Sequence, residues 1–206
     1  MVTEIEQKIR LASGVVTFFV ERCMALARKN TEPIIQRDEY FDTSGEELKR
    51  GDFAIRIRHI PGHIFIALKG PRSAGLKGNY RRIELEFEAA DQDRLRAQLD
   101  RQGLIRTALI EKQRREFAIE LCSVAIDTVP FIGSFMEIEG HSDDGVIAVK
   151  SILGLSAAEP VSENYTELLE KEFLAIGRPI RPQLIATFDS EGNAPSHMPL
   201  LPIRDT

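Results

Sequence analysis

The chain has 206 residues, of which 43% are hydrophobic, so it can bury the core of one domain. Its 27 basic and 32 acidic residues give a net charge of −5, which argues against non-specific nucleic-acid binding as its main task. No apolar run reaches the roughly 18–20 residues of a membrane helix, and the N-terminus does not read as a signal peptide.

The sequence contains two cysteines, Cys23 and Cys122, and no CxxC pair. We therefore expect a reduced, cytoplasmic protein with no nucleic-acid or membrane partner, present as a monomer or a homodimer.

Eight segments show the residue alternation of β-strands, and turn residues such as Pro61-Gly62 separate them. The predicted strands cover residues 4–10, 34–43, 53–59, 64–69, 79–88, 107–117, 123–129 and 134–139. Strands this numerous, mostly antiparallel and mixed with helices, predict an α+β fold built on a barrel or a strongly curved sheet.

Four segments have apolar residues at helical spacing, and they cover residues 15–29, 91–102, 142–153 and 164–176. Ser13 is the expected N-cap of the first helix. Arg96, on the second, is expected to be a neutral surface position. Beyond residue 177 the chain is rich in proline. We expect residues 178–206 to form an extended tail that packs on the body through Ile185, Phe188 and Leu200-Leu201.

Charged residues recur at alternate positions of the predicted strands, so within each strand they share one face. They are Glu4, Glu6, Lys8, Arg56, Arg58, Lys69, Arg82, Glu84, Glu86, Lys112, Arg114, Asp127, Glu137 and Glu139. For any single strand, a solvated outer face is the simplest interpretation. Taken together, the rows are almost purely charged with nearly balanced signs. This favours a closed barrel with the charges inside and the apolar rows outside, where helices can cover them.

Each isolated charge enclosed in a barrel costs several kcal/mol, as an order of magnitude, which pairing and hydration must offset. A barrel that keeps a charged interior at this cost is therefore expected to use it for binding. Basic rows suit a polyanion such as a chain of phosphates. Clustered carboxylates suit a hard divalent cation, Mg²⁺ or Mn²⁺, that shares oxygens with those phosphates.

The same residues, in order, resemble the CYTH superfamily, also called triphosphate tunnel metalloenzymes. Glu4-x-Glu6-x-Lys8 matches its ExExK signature, and the resemblance covers about residues 3–176. The further matching motifs are Tyr40-Phe41-Asp42-Thr43, Arg56-x-Arg58, Ala67-Leu68-Lys69-Gly70-Pro71, Arg82-x-Glu84-x-Glu86, Ile110-Glu111-Lys112-x-Arg114, Asp127 to Glu139, and Tyr165 to Leu169. The resemblance implies a closed eight-stranded tunnel as a CYTH domain over residues 1–177, acting on a small-molecule triphosphate.

The resemblance also implies roles for the charged residues. Seven basic residues would grip the triphosphate: Lys8, Arg56, Arg58, Lys69, Arg82, Lys112 and Arg114, with Lys8, Arg58, Lys69 and Lys112 as the catalytic group. Five acidic residues would hold Mg²⁺ or Mn²⁺: Glu4, Glu6, Asp127, Glu137 and Glu139. Glu84 and Glu86 would orient the basic residues or assist the metal.

The superfamily includes class IV adenylyl cyclases, thiamine triphosphatases and inorganic triphosphatases. Its short inorganic triphosphatases often end in a lysine-bearing Tyr-x-Asn-Lys-type helix, whereas this chain has Asn164-Tyr165-Thr166-Glu167. An organic triphosphate, thiamine triphosphate or ATP, is therefore favoured, with hydrolysis of its terminal phosphoryl group. Cyclisation of ATP to cAMP, hydrolysis of inorganic triphosphate, and binding without turnover are the alternatives.

The segment Gly70–Lys77 is a near miss to a phosphate-binding P-loop. Its lysine is displaced, no Ser or Thr follows, and a strand follows where a helix is needed. We predict a flexible hairpin loop whose Arg72 and Lys77 can guide anions to the tunnel.

Overall fold

The computed structural model describes residues 2–189 and is built around one large sheet. Its elements in chain order are β1 (Val2–Leu11), α1 (Val16–Leu26), β2 (Lys29–Asn30), β3 (Ile34–Asp42), α2 (Glu47–Arg50), β4 (Ala54–Ile60), β5 (His63–Lys69), β6 (Ser73–Ala74), β7 (Tyr80–Glu88), α3 (Gln92–Arg101), β8 (Ile105–Ile119), β9 (Cys122–Val129), β10 (Gly133–Gly140), α4 (Asp143–Ile152), α5 (Tyr165–Ala175) and β11 (Leu184–Ala186). Within these residues, no helix is both long and apolar enough to span a membrane.

Eight of the strands close on themselves. They follow the order β1-β10-β9-β8-β3-β4-β5-β7, and β7 pairs again with β1. Every pairing around this ring is antiparallel. The predicted α+β barrel is therefore confirmed, with strand ends within about two residues of the expected ones. The short elements β2, β6, β11 and α2 were not predicted, since two to four residues carry too little periodicity.

The outer faces of β1, β8, β9 and β10 form an apolar core with α1 and α4. Ile5 and Ile138 of the barrel are buried against this layer, together with Phe19 of α1 and Val146 and Val149 of α4. The alternation of the strands therefore places apolar side chains beneath the two helices, as expected.

Helix α5 packs differently, against the inner face of the barrel. Ala108 and Ile110 belong to the same alternating row of β8 as Lys112, yet they are buried with Leu169 and Phe173 of α5. Here the inner row changes from charged to apolar, so a helix can fill that part of the barrel. The expectation that helices cover the outer apolar rows is therefore met by α1 and α4 but not by α5.

The four predicted helices begin within one residue of their expected starts, but the expected N-cap of the first helix is wrong. The side chains of Asp91, Ser142 and Asn164 accept backbone hydrogen bonds at the starts of α3, α4 and α5. Ser13 instead lies in a 3₁₀ turn, and α1 begins three residues later without a side-chain cap. The predicted helix also ends too late, because Lys29 pairs with β8 as part of β2.

The first part of the proline-rich tail joins the sheet as β11. This strand runs parallel to β8 beside Ala108–Ile110, a stretch that β9 does not reach, because β9 pairs with β8 only from Gln113 onward. Strand geometry then turns Leu184 and Ala186 into the core and leaves Ile185 45% exposed.

The predicted packing of the tail through Ile185 is therefore wrong. Phe188 is half-buried and lines an outer cavity with Phe131 and Phe173. Leu200-Leu201 lies outside the described residues.

We predict that Leu184→Ala lowers the free energy of unfolding by about 2–4 kcal/mol, since it leaves a cavity between β11 and α5. Urea denaturation followed by circular dichroism measures this loss. Ile185→Ala, on the same strand but exposed, is the matched control and should change stability by less than about 1 kcal/mol. Equal losses in the two variants would show that β11 does not pack as described.

Candidate active site

The barrel encloses a cavity of about 390 Å³, here called the tunnel. Charged side chains from the strands line it, and so do residues of α5 and of the segment before β11. Twelve of the fourteen predicted site residues line the tunnel: Glu4, Glu6, Lys8, Arg56, Arg58, Lys69, Arg82, Glu86, Lys112, Arg114, Glu137 and Glu139. The other two, Glu84 and Asp127, are buried behind this lining and contact its cations.

The pairing of β1 with β10 sets the acidic wall of the tunnel. Glu6 lies opposite Glu139, and Lys8 lies opposite Glu137. The Nζ of Lys8 is 3.4 Å from a carboxylate oxygen of Glu137, so this pair is compensated. By contrast, Glu6 and Glu139 have no hydrogen bond or ion pair through their carboxyls among residues 2–189. Two like charges thus face each other across neighbouring strands.

Burial and mutual repulsion shift the acid–base equilibria of these carboxyls. Burial raises the pKa of Glu4 to about 8, and its hydrogen bond with Glu84 adds to the shift. Burial and the charge of Glu137 raise the pKa of Glu6. Burial also raises the pKa of Glu139, although Lys69 opposes it. A divalent cation would relieve this repulsion.

The chemistry of these three carboxyls fits a hard divalent cation, which prefers oxygen ligands. Glu137 fits less well because Lys8 and Arg114 already pair with it. In the described part of the chain, no three Asp, Glu, His or Cys side chains are yet arranged to hold one ion. The donors are therefore neighbours in one wall rather than a finished coordination shell.

A second cluster joins β4, β5 and β7. Lys69 forms ion pairs with Glu84 and, at 3.5 Å, with Glu4. The Nη2 of Arg56 contacts Glu86 at 3.0 Å and Glu84 at 3.4 Å. Burial alone would raise the pKa of Glu84, but the hydrogen bond from Glu4 and the charges of Lys69 and Arg56 lower it to about 2. The buried Nε of Arg56 finds no partner within the described residues, which leaves a donor for an anion.

Arg58 is held by a carboxylate that the sequence analysis missed. Its Nε and Nη2 each lie 2.7 Å from an oxygen of Asp38 in a forked arrangement. Burial alone would raise the pKa of Asp38, but Arg58 and Arg56 hold it well below its usual value. β3 carries charges on both faces, since Glu39 points outward, so alternation could not reveal which acid enters the tunnel.

Asp127 organises the third cluster. It is fully buried, and its oxygens accept hydrogen bonds from Arg114 at 2.6 and 2.7 Å, Lys112 at 3.1 Å and the hydroxyl of Tyr165 at 2.9 Å. Burial would raise its pKa, but Arg114 and Lys112 lower it. The structure thus makes Asp127 the anchor of two predicted phosphate-binding cations, behind the tunnel wall.

Lys112 is a buried ammonium whose surroundings make its charged form less favourable. Burial lowers the pKa of its ammonium to about 8, and the neighbouring charge of Arg114 contributes. Its charge therefore depends on anions placed near it, and a bound phosphate would raise this pKa again.

Aromatic side chains complete the lining. All three tyrosines of the chain, Tyr40, Tyr80 and Tyr165, line the tunnel. Burial raises the pKa of Tyr40 to about 12, and Asp38 adds to the effect, so its hydroxyl stays protonated. Tyr165 comes from α5, and its place in the motif Tyr165 to Leu169 was the only signal for it in the sequence.

Arg72 does not lie free at the tunnel entrance. It forms forked contacts with Asp52, at 2.9 and 3.1 Å from Nε, and with Glu167 of α5, at 2.8 and 3.1 Å. The segment around it contains β6 and a 3₁₀ turn at Leu76–Gly78. The predicted flexible, anion-guiding loop is therefore wrong for Arg72, which ties this segment to α5.

Two other arginines have structural partners. Arg82 lines the tunnel, yet its Nε and Nη2 donate to the carbonyl of Gly70 at 3.0 and 2.6 Å. Arg96 pairs with Glu39, which is 1% exposed, so the expectation of a neutral surface position is wrong. Glu39 also contacts Arg106 and His59, and this network fastens α3 to the barrel.

Comparisons with known proteins agree with this geometry. A model of the CYTH domain matches residues 3–162 of the chain. A curated protein from Methanocaldococcus jannaschii, which carries the name of a candidate adenylate cyclase, is 27% identical over 167 residues, covering 81% of this chain and 87% of the relative.

Two solved structures share the fold. A Pyrococcus horikoshii OT3 protein superimposes with a TM-score of 0.66 at 24% identity, covering 82% of this chain and 98% of its own. A Hippeastrum protein, named as a candidate adenylyl cyclase with a dominant triphosphatase activity, gives a TM-score of 0.64 at 17% identity, with 86% and 99% covered. With the domain model matching most of its length, this chain belongs to the CYTH domain family.

Proposed function

We propose that this protein is a divalent-metal-dependent enzyme that hydrolyses the terminal phosphoryl group of an organic triphosphate, such as thiamine triphosphate or ATP, inside the tunnel. The proposal rests on one observation: the same closed cavity has a basic wall and an acidic wall. One wall holds preorganised cations, and the other holds carboxyls with raised pKa values. Phosphoryl transfer needs charge neutralisation and positioning above all.

The cations would grip the phosphate chain. Arg58 and Arg114 are fixed as forks by Asp38 and Asp127, and Lys112 is fixed beside them. Donors held in place before the substrate arrives need little reorganisation in the transition state. Lys8 and Lys69 line the same cavity, and each offers an ammonium to a phosphate oxygen.

Glu4, Glu6 and Glu139 would hold Mg²⁺ or Mn²⁺, with Glu137 as a fourth donor if Lys8 turns to the substrate. When bound, the ion would neutralise phosphate charge and lower the pKa of a bound water. Glu84 supports this arrangement because it pairs with Lys69 beside Glu4.

An organic group has room beside the charged part of the tunnel. Phe53, Ile55 and Ile180 line the same cavity, and the side chain of Phe53 is half-exposed. Free inorganic triphosphate would gain nothing from these apolar contacts, whereas a base or ring would bury against them.

The second candidate is cyclisation of ATP, with the ribose 3′-hydroxyl attacking the α-phosphorus and expelling pyrophosphate. The name of the Methanocaldococcus jannaschii relative supports it. In the Hippeastrum protein the same fold carries a dominant triphosphatase activity, so the fold itself is compatible with hydrolysis.

Turnover of ATP, thiamine triphosphate and tripolyphosphate with Mg²⁺ or Mn²⁺ tests these alternatives. Orthophosphate and a diphosphate indicate hydrolysis, whereas pyrophosphate and cAMP indicate cyclisation. A preference for tripolyphosphate would contradict the proposal that the substrate is an organic triphosphate. Tight binding of all three without any product would reduce the protein to a binding module.

Arg58→Ala should lower kcat/KM by about 30- to 1000-fold, the scale of about 2–4 kcal/mol for one preorganised donor. Arg58→Lys should recover part of this loss, because an ammonium supplies the charge without the fork. Steady-state kinetics on the preferred triphosphate measures both. Since Arg58→Ala leaves Asp38 buried without its fork, circular dichroism must first show that the variant is folded.

The matched control for Arg58→Ala is Arg94→Ala on α3, whose exposed side chain has no hydrogen bond or ion pair in the described part of the chain. It should leave kcat/KM unchanged. If folded Arg58→Ala and Arg94→Ala turned over every triphosphate equally, the basic wall would not be a substrate site.

Mg²⁺ binding should release protons and strengthen as pH rises from about 6 to 8. The pKa of Glu4 is raised to about 8, so its carboxyl is largely protonated in the empty tunnel near neutrality, and a cation must displace that proton. Calorimetric titration in two buffers of different ionisation enthalpy counts the protons released. Glu4→Gln should release fewer, and unchanged proton release in this variant would remove Glu4 from the metal site.

A further inference from the structure

We infer that Tyr165 is a positioning residue of the tunnel, whose aromatic ring holds the ammonium groups of Lys8 and Lys112 in place for the substrate. The inference rests on the proposed function, in which both lysines bind the phosphate chain.

The ring is firmly oriented by the start of α5. Asn164 and Glu167 form a capping box around Tyr165, the first residue of the helix. Glu167 is also gripped by the fork of Arg72 at 2.8 and 3.1 Å, which joins this turn to the barrel. The ring also packs on Phe135 in a T-shaped arrangement, with 5.3 Å between centroids and an angle of 64°.

Two cations lie close to this one ring. The Nζ of Lys8 is 4.4 Å from its centroid, and the Nζ of Lys112 is 5.3 Å from it. Both lysine side chains are less than 5% exposed, so water competes little for their ammonium groups. A desolvated ammonium is held more strongly by an aromatic ring than an exposed one.

The contact matters because no direct strand pairing sets the distance between the two lysines. Lys8 is on β1 and Lys112 is on β8, with β9 and β10 between them in the sheet. The ring is therefore a shared contact that fixes one ammonium relative to the other. Lys8 also donates to the carbonyl of Glu163 at 3.2 Å, which adds a second link between β1 and the start of α5.

The hydroxyl and the ring have separable roles. The hydroxyl donates to Asp127, which Lys112 and Arg114 already bind, so its loss leaves this carboxylate with cationic partners. The ring alone contacts Lys8. Tyr165→Phe thus keeps the proposed positioning, and Tyr165→Leu removes it.

The matched control is Phe173→Leu. It also replaces a buried aromatic residue of α5 by leucine, but Phe173 packs on Phe131 and lies outside the tunnel lining. An effect of weaker packing in α5 should therefore appear in both Tyr165→Leu and Phe173→Leu. An effect of lost lysine positioning should appear only in Tyr165→Leu.

Two measurements test separately whether the lysines lie against the ring and whether this placement affects triphosphate binding. In proton–carbon NMR spectra, the ε-methylene signals of Lys8 and Lys112 should be shifted upfield by the ring in the unaltered chain, in Tyr165→Phe and in Phe173→Leu, but not in Tyr165→Leu. In metal-free calorimetric titration, the Kd for tripolyphosphate should change by less than about threefold in Tyr165→Phe and Phe173→Leu, and rise about 10- to 30-fold in Tyr165→Leu.

Absence of the shifted signals in the unaltered chain would overturn the inference, as would equal tripolyphosphate affinity in folded Tyr165→Leu. A loss of affinity in Tyr165→Phe as large as in Tyr165→Leu would also overturn it, because the hydroxyl would then be the positioning group. Shifted signals in an unaltered chain that binds no triphosphate would overturn the proposed function but support the placement of the lysines.

Discussion

A charge enclosed in a barrel cannot be hydrated by bulk water, so it needs a partner or must exchange a proton. The interior of this protein follows that constraint throughout. Arg58 is matched by Asp38, Arg114 by Asp127, and Lys69 by Glu84. Where the strands leave carboxyls unmatched, as at Glu6 and Glu139, their pKa values rise.

Substrate binding in such a cavity is an exchange of partners. A triphosphate would take over cations that carboxylates now hold, and a metal ion would take over carboxyls whose pKa values are raised by burial. The two exchanges support each other. When the triphosphate takes the cations, negative charge is left on the carboxylates, and the positive charge of the metal ion compensates for it. The internal ion pairs thus hold the cations in place while the tunnel is empty, and the proposed phosphoryl transfer would depend on such preorganisation.

Long strands were predictable because their alternation is a local property of the chain. In 82–88, charges and apolar residues alternate without interruption, and β7 covers this segment. The alternation in β3 does not show which residues point into the barrel. Asp38 and Glu39 lie on opposite faces, yet both are buried, and each is paired with different arginines. Which face enters the barrel depends on arginines that lie 20 positions from Asp38 and 57 and 67 positions from Glu39.

The tail and α5 were harder to predict for a related reason. β11 has three residues and pairs in parallel with a strand more than 70 positions earlier, so its own sequence carries little sign of the pairing. The position of α5 on the inner face follows from the change of character along one row of β8, at Ala108 and Ile110. The helical spacing of apolar residues predicts the helix itself, but tertiary packing determines which side of the sheet the helix covers.

The placement of the tyrosines makes intrinsic tyrosine fluorescence a probe of the tunnel. The chain contains three tyrosines and no tryptophan, and all three tyrosines line the tunnel. Its ultraviolet emission beyond that of phenylalanine therefore comes entirely from the walls of this cavity. No label is needed to follow what enters it, and folding equilibria watched by this emission report on the tunnel rather than on the outer helices.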